Sequence, residues 1–333
     1  MRLNSRTGVG ESRTGPSGQA ANPRNVRCDL SRTTKVGDGP WKHRGVHGTD
    51  ADDQAGLSSR DGAGPVCVTV VTVTYNDLAR LRATAESVLV QAGAWEWLVV
   101  DGGSTDGTVA WLTTLDDQRV RFVSEPDQGI YDAMNKGLAL AAGEYVNFLN
   151  AGDAYLRPGV LRDVEERARH GYWEWGHGCN IVVDDGGRQV RPAASGYPGR
   201  LRYALGPGRL VHQAVFARAD IMRELGGFDL QYPIAADRHL VMRLGRRSDP
   251  LEWPDIDVAY EQGGVSDDAR RSLQDLHRAR VDVYGLGRAG SLADSAWSEG
   301  MIAYVRSRRT LKRSARRLLG ERSIDWWARR RAT

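Results

Sequence analysis

The chain has 333 residues, 41% of them hydrophobic and 26% charged, with a formal net charge of +4, enough apolar material for one large core or two modest ones. Residues 302–333 carry 11 Lys and Arg against 2 Asp and Glu, a local +9 that leaves −5 on the other 301. A body of that sign excludes a uniformly basic nucleic-acid binder, so no nucleic acid is expected as a partner.

Residues 1–64 are rich in Gly, Ser, Arg, Asp and Asn, without a period of 2 or 3.6, and are expected to form a disordered N-terminal extension. Their mixed charges argue against a dedicated phosphate-binding arm. The longest apolar run, residues 66–75, is half of the roughly 20 residues a spanning helix needs and holds three threonines. With no apolar leader block ahead of it, the expected compartment is the cytoplasm. Cys28, Cys67 and Cys179 are too few and too scattered for a complete disulfide framework or a metal finger, and read as unpaired thiols.

From residue 66 the pattern alternates strands with helices. The β-branched run 66–75 predicts a strand covered on both faces. Leu78, Leu81, Ala85, Val88 and Leu89 then fall at helical spacing, and Gly93 closes that segment. Strands are predicted over 97–100, 120–123 and 145–149, with helices over 108–115 and 131–142, the latter stopped by Gly143. Four such repeats imply right-handed crossovers and a mainly parallel α/β sheet flanked by helices. The rhythm then loosens into a mixed half. Helices are expected over 158–169, 221–225 and 235–244; strands over 178–183, 188–191 and 212–217, with an Asp-Asp-Gly-Gly turn between the first two.

Each predicted strand of the first half ends in a polar loop: Thr74-Tyr75-Asn76, Asp101-Gly102-Gly103-Ser104-Thr105-Asp106-Gly107, Asp127, and Asn150-Ala151-Gly152-Asp153. Parallel strands end on one side, so these loops converge on an acidic cleft. A diphosphate suits such a cleft when a divalent cation lies between, and hard oxygen ligands such as Asp127 and Asp153 suit Mg2+ or Mn2+. Taken singly each loop is equally a plain turn or a helix cap.

The ordered set Val70-Val-Thr-Val-Thr-Tyr-Asn76, Val99-Val-Asp-Gly-Gly-Ser-Thr-Asp-Gly-Thr108, residues 125–137, Phe148-Leu-Asn-Ala-Gly-Asp153, Leu210-Val-His-Gln-Ala-Val-Phe216, Gly226-Gly-Phe-Asp229 and Ala235-Ala-Asp237 resembles the family 2 glycosyltransferases of the GT-A fold. The branch it is similar to acts in bacterial polysaccharide biosynthesis. The resemblance covers residues 66–266. It implies a GT-A catalytic domain over 65–268, followed by a helical basic tail over 269–333. It further implies a metal-dependent inverting transfer from a nucleotide-sugar donor to a saccharide or lipid-linked acceptor. Asp101 resembles the carboxylate that contacts the donor base, and Asp127 the second acid of that pocket. Thr74, Tyr75, Asn76, Gly103, Ser104, Tyr131, Asn135 and Lys136 belong to the same nucleotide-sugar site. Asn150 and Asp153 stand in the place of the family's Asp-x-Asp metal motif, which is weakened here because Asn150 and Gly152 replace acids. Asp237 matches the catalytic base, with pairing to Arg238 or Arg243 on a helix surface as the plain alternative. His212 and Gln213 are candidates for contact with the donor phosphates or the acceptor, or for structural roles. Gly263-Gly264-Val265-Ser266 resembles a loop closing over the donor, and is equally a glycine turn.

In the tail, Leu311, Ala315, Leu318 and Leu319 follow helical spacing among arginines, with Trp326-Trp327 beyond. This reads either as a basic amphipathic helix on an anionic membrane, placing the enzyme on the inner face, or as a terminal helix packed on the domain. Two rival functions were weighed. A nucleotidyltransferase or methyltransferase would need a glycine-rich basic loop after the first strand, or would leave Asp127 and Asp153 without purpose. A catalytically inactive glycan- or membrane-binding GT-A module fits the weakened metal motif, but not the retention of Asp101, Asp127 and Asp237.

Overall fold

Strand β1, Val68–Thr74, is buried along all seven residues, as a valine- and threonine-rich run covered on both faces must be. The computed structural model describes residues 67–184, 189–194, 197–205, 210–261 and 269–319. Helix α1 (Leu78–Val88) leads to β2 (Trp95–Asp101), α2 (Thr108–Leu112) to β3 (Val120–Ser124), and α3 (Ile130–Leu140) to β4 (Tyr145–Phe148). These four strands are parallel, in the order β3-β2-β1-β4, as the alternating repeats predict. Register does the rest. Thr74 pairs with Asp101 and Asp101 with Ser124, so three strand ends meet at one level.

The mixed half follows: β5 (Ala154–Tyr155), α4 (Val160–His170), β6 (Trp175–Val183), β7 (Gln189–Ala194), α5 (Arg200–Leu205), a single 3-10 turn (His212–Ala214), β8 (Val215–Arg218), α6 (Ala219–Glu224), α7 (Ala236–Arg247) and β9 (Leu251–Glu261). The sheet continues from β4 as β8-β6-β9-β5, with β7 pairing β6. Here β8 runs antiparallel to both β4 and β6, and β9 runs parallel to β6. Helices α8 (Ala269–Tyr284) and α9 (Arg288–Leu319) close the described chain. Ala279 and Val283 of α8 join the core beside α7.

Period-2 alternation splits the strand side chains between two apolar layers. Val71 and Val73 pack under α3, α6 and α7. Val68 and Val70 pack under α1 and α4. Helix α3 lies so close to the sheet that a Cβ at Gly137 would overlap the Val71 side chain.

The structure departs from the sequence reading in places. Residues 212–217 are a 3-10 turn before a shorter strand, because the turn leaves the ladder to enter the cleft. Strand β9 lies in a stretch to which the sequence reading assigns no element. Proline is tolerated in a sheet at irregularities, and the β6–β9 register shifts between His177↔Glu252 and Cys179↔Ile256, around Pro254. The two buried acids meet arginines of the α4 region, Asp255 with Arg167 at 3.4 Å and Asp257 with Arg157 at 2.7 Å. Cys67 is free and buried. The readings of residues 1–64, of the 263–266 loop, and of the basic face and Trp326-Trp327 fall outside the described residues and side chains. Among the described residues, no helix is long and apolar enough to cross a membrane.

Candidate active site

Asp101 ends β2 at the meeting of three strands and is completely buried. Its carboxylate accepts the Gly103 N–H at 3.2 Å, the Ser104 N–H at 2.9 Å, the Ser124 hydroxyl at 2.6 Å and the Ser104 hydroxyl. Four donors from its own loop and from β3 leave nothing of Asp101 in the cleft. In this structure Asp101 folds the loop that shapes the pocket. The loop is stitched to the end of β1 in the same way. Asn76, at φ 49°, donates its N–H to Ser104 Oγ at 2.7 Å and accepts the Thr105 N–H at 2.8 Å. Asp106 accepts the Leu78 N–H at 2.9 Å, which satisfies a free donor at the head of α1. Asn76, Gly103 and Ser104 thus shape the pocket rather than reach into it. Thr74 is buried, its hydroxyl without a partner.

The residues that do face outward here are Tyr75, 64% exposed, and Asp127. Asp127 Oδ1 accepts the Gly129 N–H at 2.8 Å. Its Oδ2 lies against Gly102, where a Cβ would stand 2.6 Å from Oδ2 and 3.3 Å from the Tyr75 ring.

Asn135 and Lys136 have partners within the fold. The Asn135 amide donates to the Phe228 carbonyl and accepts the Phe228 N–H, both at 2.8 Å. Lys136 Nζ meets Glu125 and the Pro126 carbonyl, each at 2.8 Å. Both tie parts of the fold together. The Tyr131 hydroxyl lies 3.2 Å from Asp237 Oδ1 and 3.2 Å from the Ile234 carbonyl.

Asp237 lies in the first turn of α7, where the helix dipole favours a negative charge. His212 Nδ1 lies 3.4 Å from its Oδ2, and His212 Nε2 lies 3.3 Å from Asn150 Nδ2. A polar chain, Tyr131–Asp237–His212–Asn150, therefore links α3, α7, the 3-10 turn and the loop after β4. Burial alone would raise the Asp237 carboxyl, but the hydrogen bond and charge of His212, with the N–H and charge of Arg238, outweigh it and hold it below the usual range. The head of α7 is braced from behind, because Asp275 of α8 accepts the Ile234 N–H at 2.9 Å and the Ala235 N–H at 3.3 Å. Sequence reasoning missed this residue, which carries no motif.

The metal-motif residues have other partners. Asp153 is buried, its Oδ2 accepting Gln213 Nε2–H at 2.9 Å and its Oδ1 the Glu261 N–H at 3.1 Å. Burial pushes its carboxyl up to about 6. Gly152, at φ +97°, faces an Arg80–Glu261 ion pair of 2.5 Å, and a Cβ there would stand 2.8 Å from Glu261 Oε2. Asn150 Oδ1 is a buried oxygen without a partner. Each Asp153 oxygen thus accepts one N–H, and among the described residues no group of three or more His, Cys, Asp or Glu could hold a divalent cation.

Comparison with known proteins agrees with this architecture. Residues 69–173 match the family model for Glycosyl transferase family 2. An uncharacterized glycosyltransferase of Mycobacterium tuberculosis is 35% identical over 226 residues, covering 63% of this chain and 84% of that protein. A PGL/p-HBAD biosynthesis glycosyltransferase of Mycobacterium bovis is 31% identical over 173 residues, covering 50% of this chain and 65% of the other. Among solved structures, S. aureus TarS 1-349 in complex with UDP-GlcNAc superposes with a TM-score of 0.53 at 16% identity, over 68% of this chain and 69% of that one, a likeness of fold. Sequence and fold converge: the chain belongs to glycosyltransferase family 2 and is a glycosyltransferase of GT-A type.

Proposed function

We propose that this protein transfers a sugar, with inversion, from a nucleotide-diphosphate donor to a hydroxyl of a saccharide or lipid-linked acceptor in cell-surface polysaccharide biosynthesis. The observation that carries the reading is Asp237, held ionised between Tyr131 and His212 at the open end of the sheet. In the reaction the acceptor oxygen forms a bond to the anomeric carbon from the face opposite the diphosphate. The bond from that carbon to the phosphate oxygen breaks, and the nucleoside diphosphate leaves with the electron pair. Asp237 takes the acceptor proton, as a general base must. Tyr131 and His212 hold one oxygen each and fix the direction in which the carboxylate points. No covalent intermediate is needed.

In this reading residues 65–268 carry the chemistry. The segment 269–333 braces α7 through α8, and its basic end touches an anionic membrane on the inner face, where a lipid-linked acceptor would lie. The test is a panel of nucleotide sugars, followed by thermal shift and donor hydrolysis with Mn2+ added. Failure of every nucleoside diphosphate to stabilise the protein rejects the transferase reading.

A further inference from the structure

Which nucleotide the donor carries is open in the family, and the geometry around Gly102 narrows it. Asp101 is saturated by its own loop. Asp127 is then the carboxylate that the pocket presents to a base. It lies beside the exposed ring of Tyr75, over the consecutive glycines Gly102 and Gly103. We infer that the donor base is guanine, read by Asp127 and stacked on Tyr75. The inference rests on the donor reading above.

Three observations carry it. First, a carboxylate accepts hydrogen bonds and donates none, so it selects a base edge rich in N–H groups. Guanine presents two neighbouring donors, N1–H and the 2-amino group, which match the two oxygens of one carboxylate in the paired manner of an arginine fork. Uracil and thymine present one N–H flanked by two carbonyl oxygens, which a carboxylate repels. Adenine and cytosine set a bare ring nitrogen beside their amino group. Second, Asp127 is pre-aimed. The Gly129 N–H anchors Oδ1 at 2.8 Å, and Oδ2 fills the space that any side chain at 102 would take, since a Cβ there would stand 2.6 Å away. Third, there is a stacking surface. The Tyr75 face is 64% exposed, and a Cβ at Gly103 would meet nothing nearer than Pro126 at 3.7 Å, so no side chain of that loop crowds the ring.

The test is calorimetric titration of the full chain with GDP, UDP, dTDP, ADP and CDP. GDP is expected to bind at least tenfold more tightly than the other four. Asp127→Asn, which turns one acceptor into a donor, should weaken GDP at least tenfold and leave the others within about threefold. Gly102→Ala, whose methyl would press on Asp127 Oδ2 and the Tyr75 ring, should weaken GDP as well. Thermal unfolding of each variant verifies that it folds, and Tyr75→Ala serves as a second variant, expected to weaken all five. UDP or dTDP binding as tightly as GDP overturns the guanine inference and leaves the transferase reading standing. Binding of none of the five overturns both.

Discussion

His212 Nδ1 stands 3.4 Å from Asp237 Oδ2, so a turn residue ahead of β8 governs the charge of a carboxylate at the head of α7. Asp237→Asn should keep donor affinity within about threefold and lower the transfer rate by roughly 10²–10⁴, the usual worth of a general base. Calorimetry and single-turnover kinetics read the two quantities separately. Unchanged turnover would remove the base assignment.

The same pair sets a pH limb. Asp237 is held below the usual carboxylate range, so it stays ionised at neutral pH and kcat/KM should fall only below about pH 4. His212→Gln removes the largest influence favouring the ionised form, and the acid limb should move to higher pH. If the limb stays in place, His212 does not act through Asp237.

Asp153 bears on stability rather than catalysis. Its folded carboxyl is raised to about 6, mainly by burial, against about 3.9 when unfolded. The folded state therefore binds more protons between those values, and the stability from this group is present at low pH and lost as pH rises through 6. The full span is about 2 to 3 kcal/mol. Asp153→Asn titrates nothing, so its stability relative to the parent should improve from pH 4.5 to pH 7.5 in denaturant melts at the two pH values. A constant difference would show that Asp153 keeps its ordinary affinity for protons.

A Cβ at Gly143 would stand 2.5 Å from the Thr69 backbone nitrogen, where nothing flexible can give way. Gly143→Ala should cost about 1 to 3 kcal/mol of stability, as overpacking does, measured by urea titration. A loss under 0.5 kcal/mol would mean that β1 and the α3–β4 turn separate more easily than their packing indicates.

Manganese gives an independent check on the engaged carboxylate. With both Asp153 oxygens accepting N–H groups, titration of nucleotide-free protein should show no saturable site tighter than about a millimolar Kd. A micromolar site that vanishes in Asp153→Asn would establish Asp153 as a ligand.

The first half of the sheet was readable from the sequence because β1 and β2 are unbroken buried runs, and a helical repeat separates them. What sequence cannot convey is the side of a strand end on which a carboxylate points. Asp101 and Asp127 look alike as acids after strands, yet register with Ser124 draws the first inward, while Gly102 leaves the second its place. The Asn135 contact is hidden for a related reason, since its partner Phe228 lies 93 residues away. Strand β9 escaped notice because Pro254 belongs to an irregularity that only pairing with β6 reveals. The hydrogen bond from Tyr131 to Asp237 and those from the Ile234 and Ala235 N–H groups to Asp275 join residues far apart in the chain, which no motif records.

The bond from Asp275 to the Ile234 and Ala235 N–H groups has a consequence for biosynthesis. Asp237, the proposed base, sits at the head of a helix braced by a residue made about forty positions later, so a nascent chain that has emerged only through β9 has its sheet but not the brace behind that carboxylate. Domains fold largely as they leave the ribosome. Competence for transfer is then acquired near the end of translation, and a chain cut short before α8 would be left with a pocket for the donor and a slack trigger.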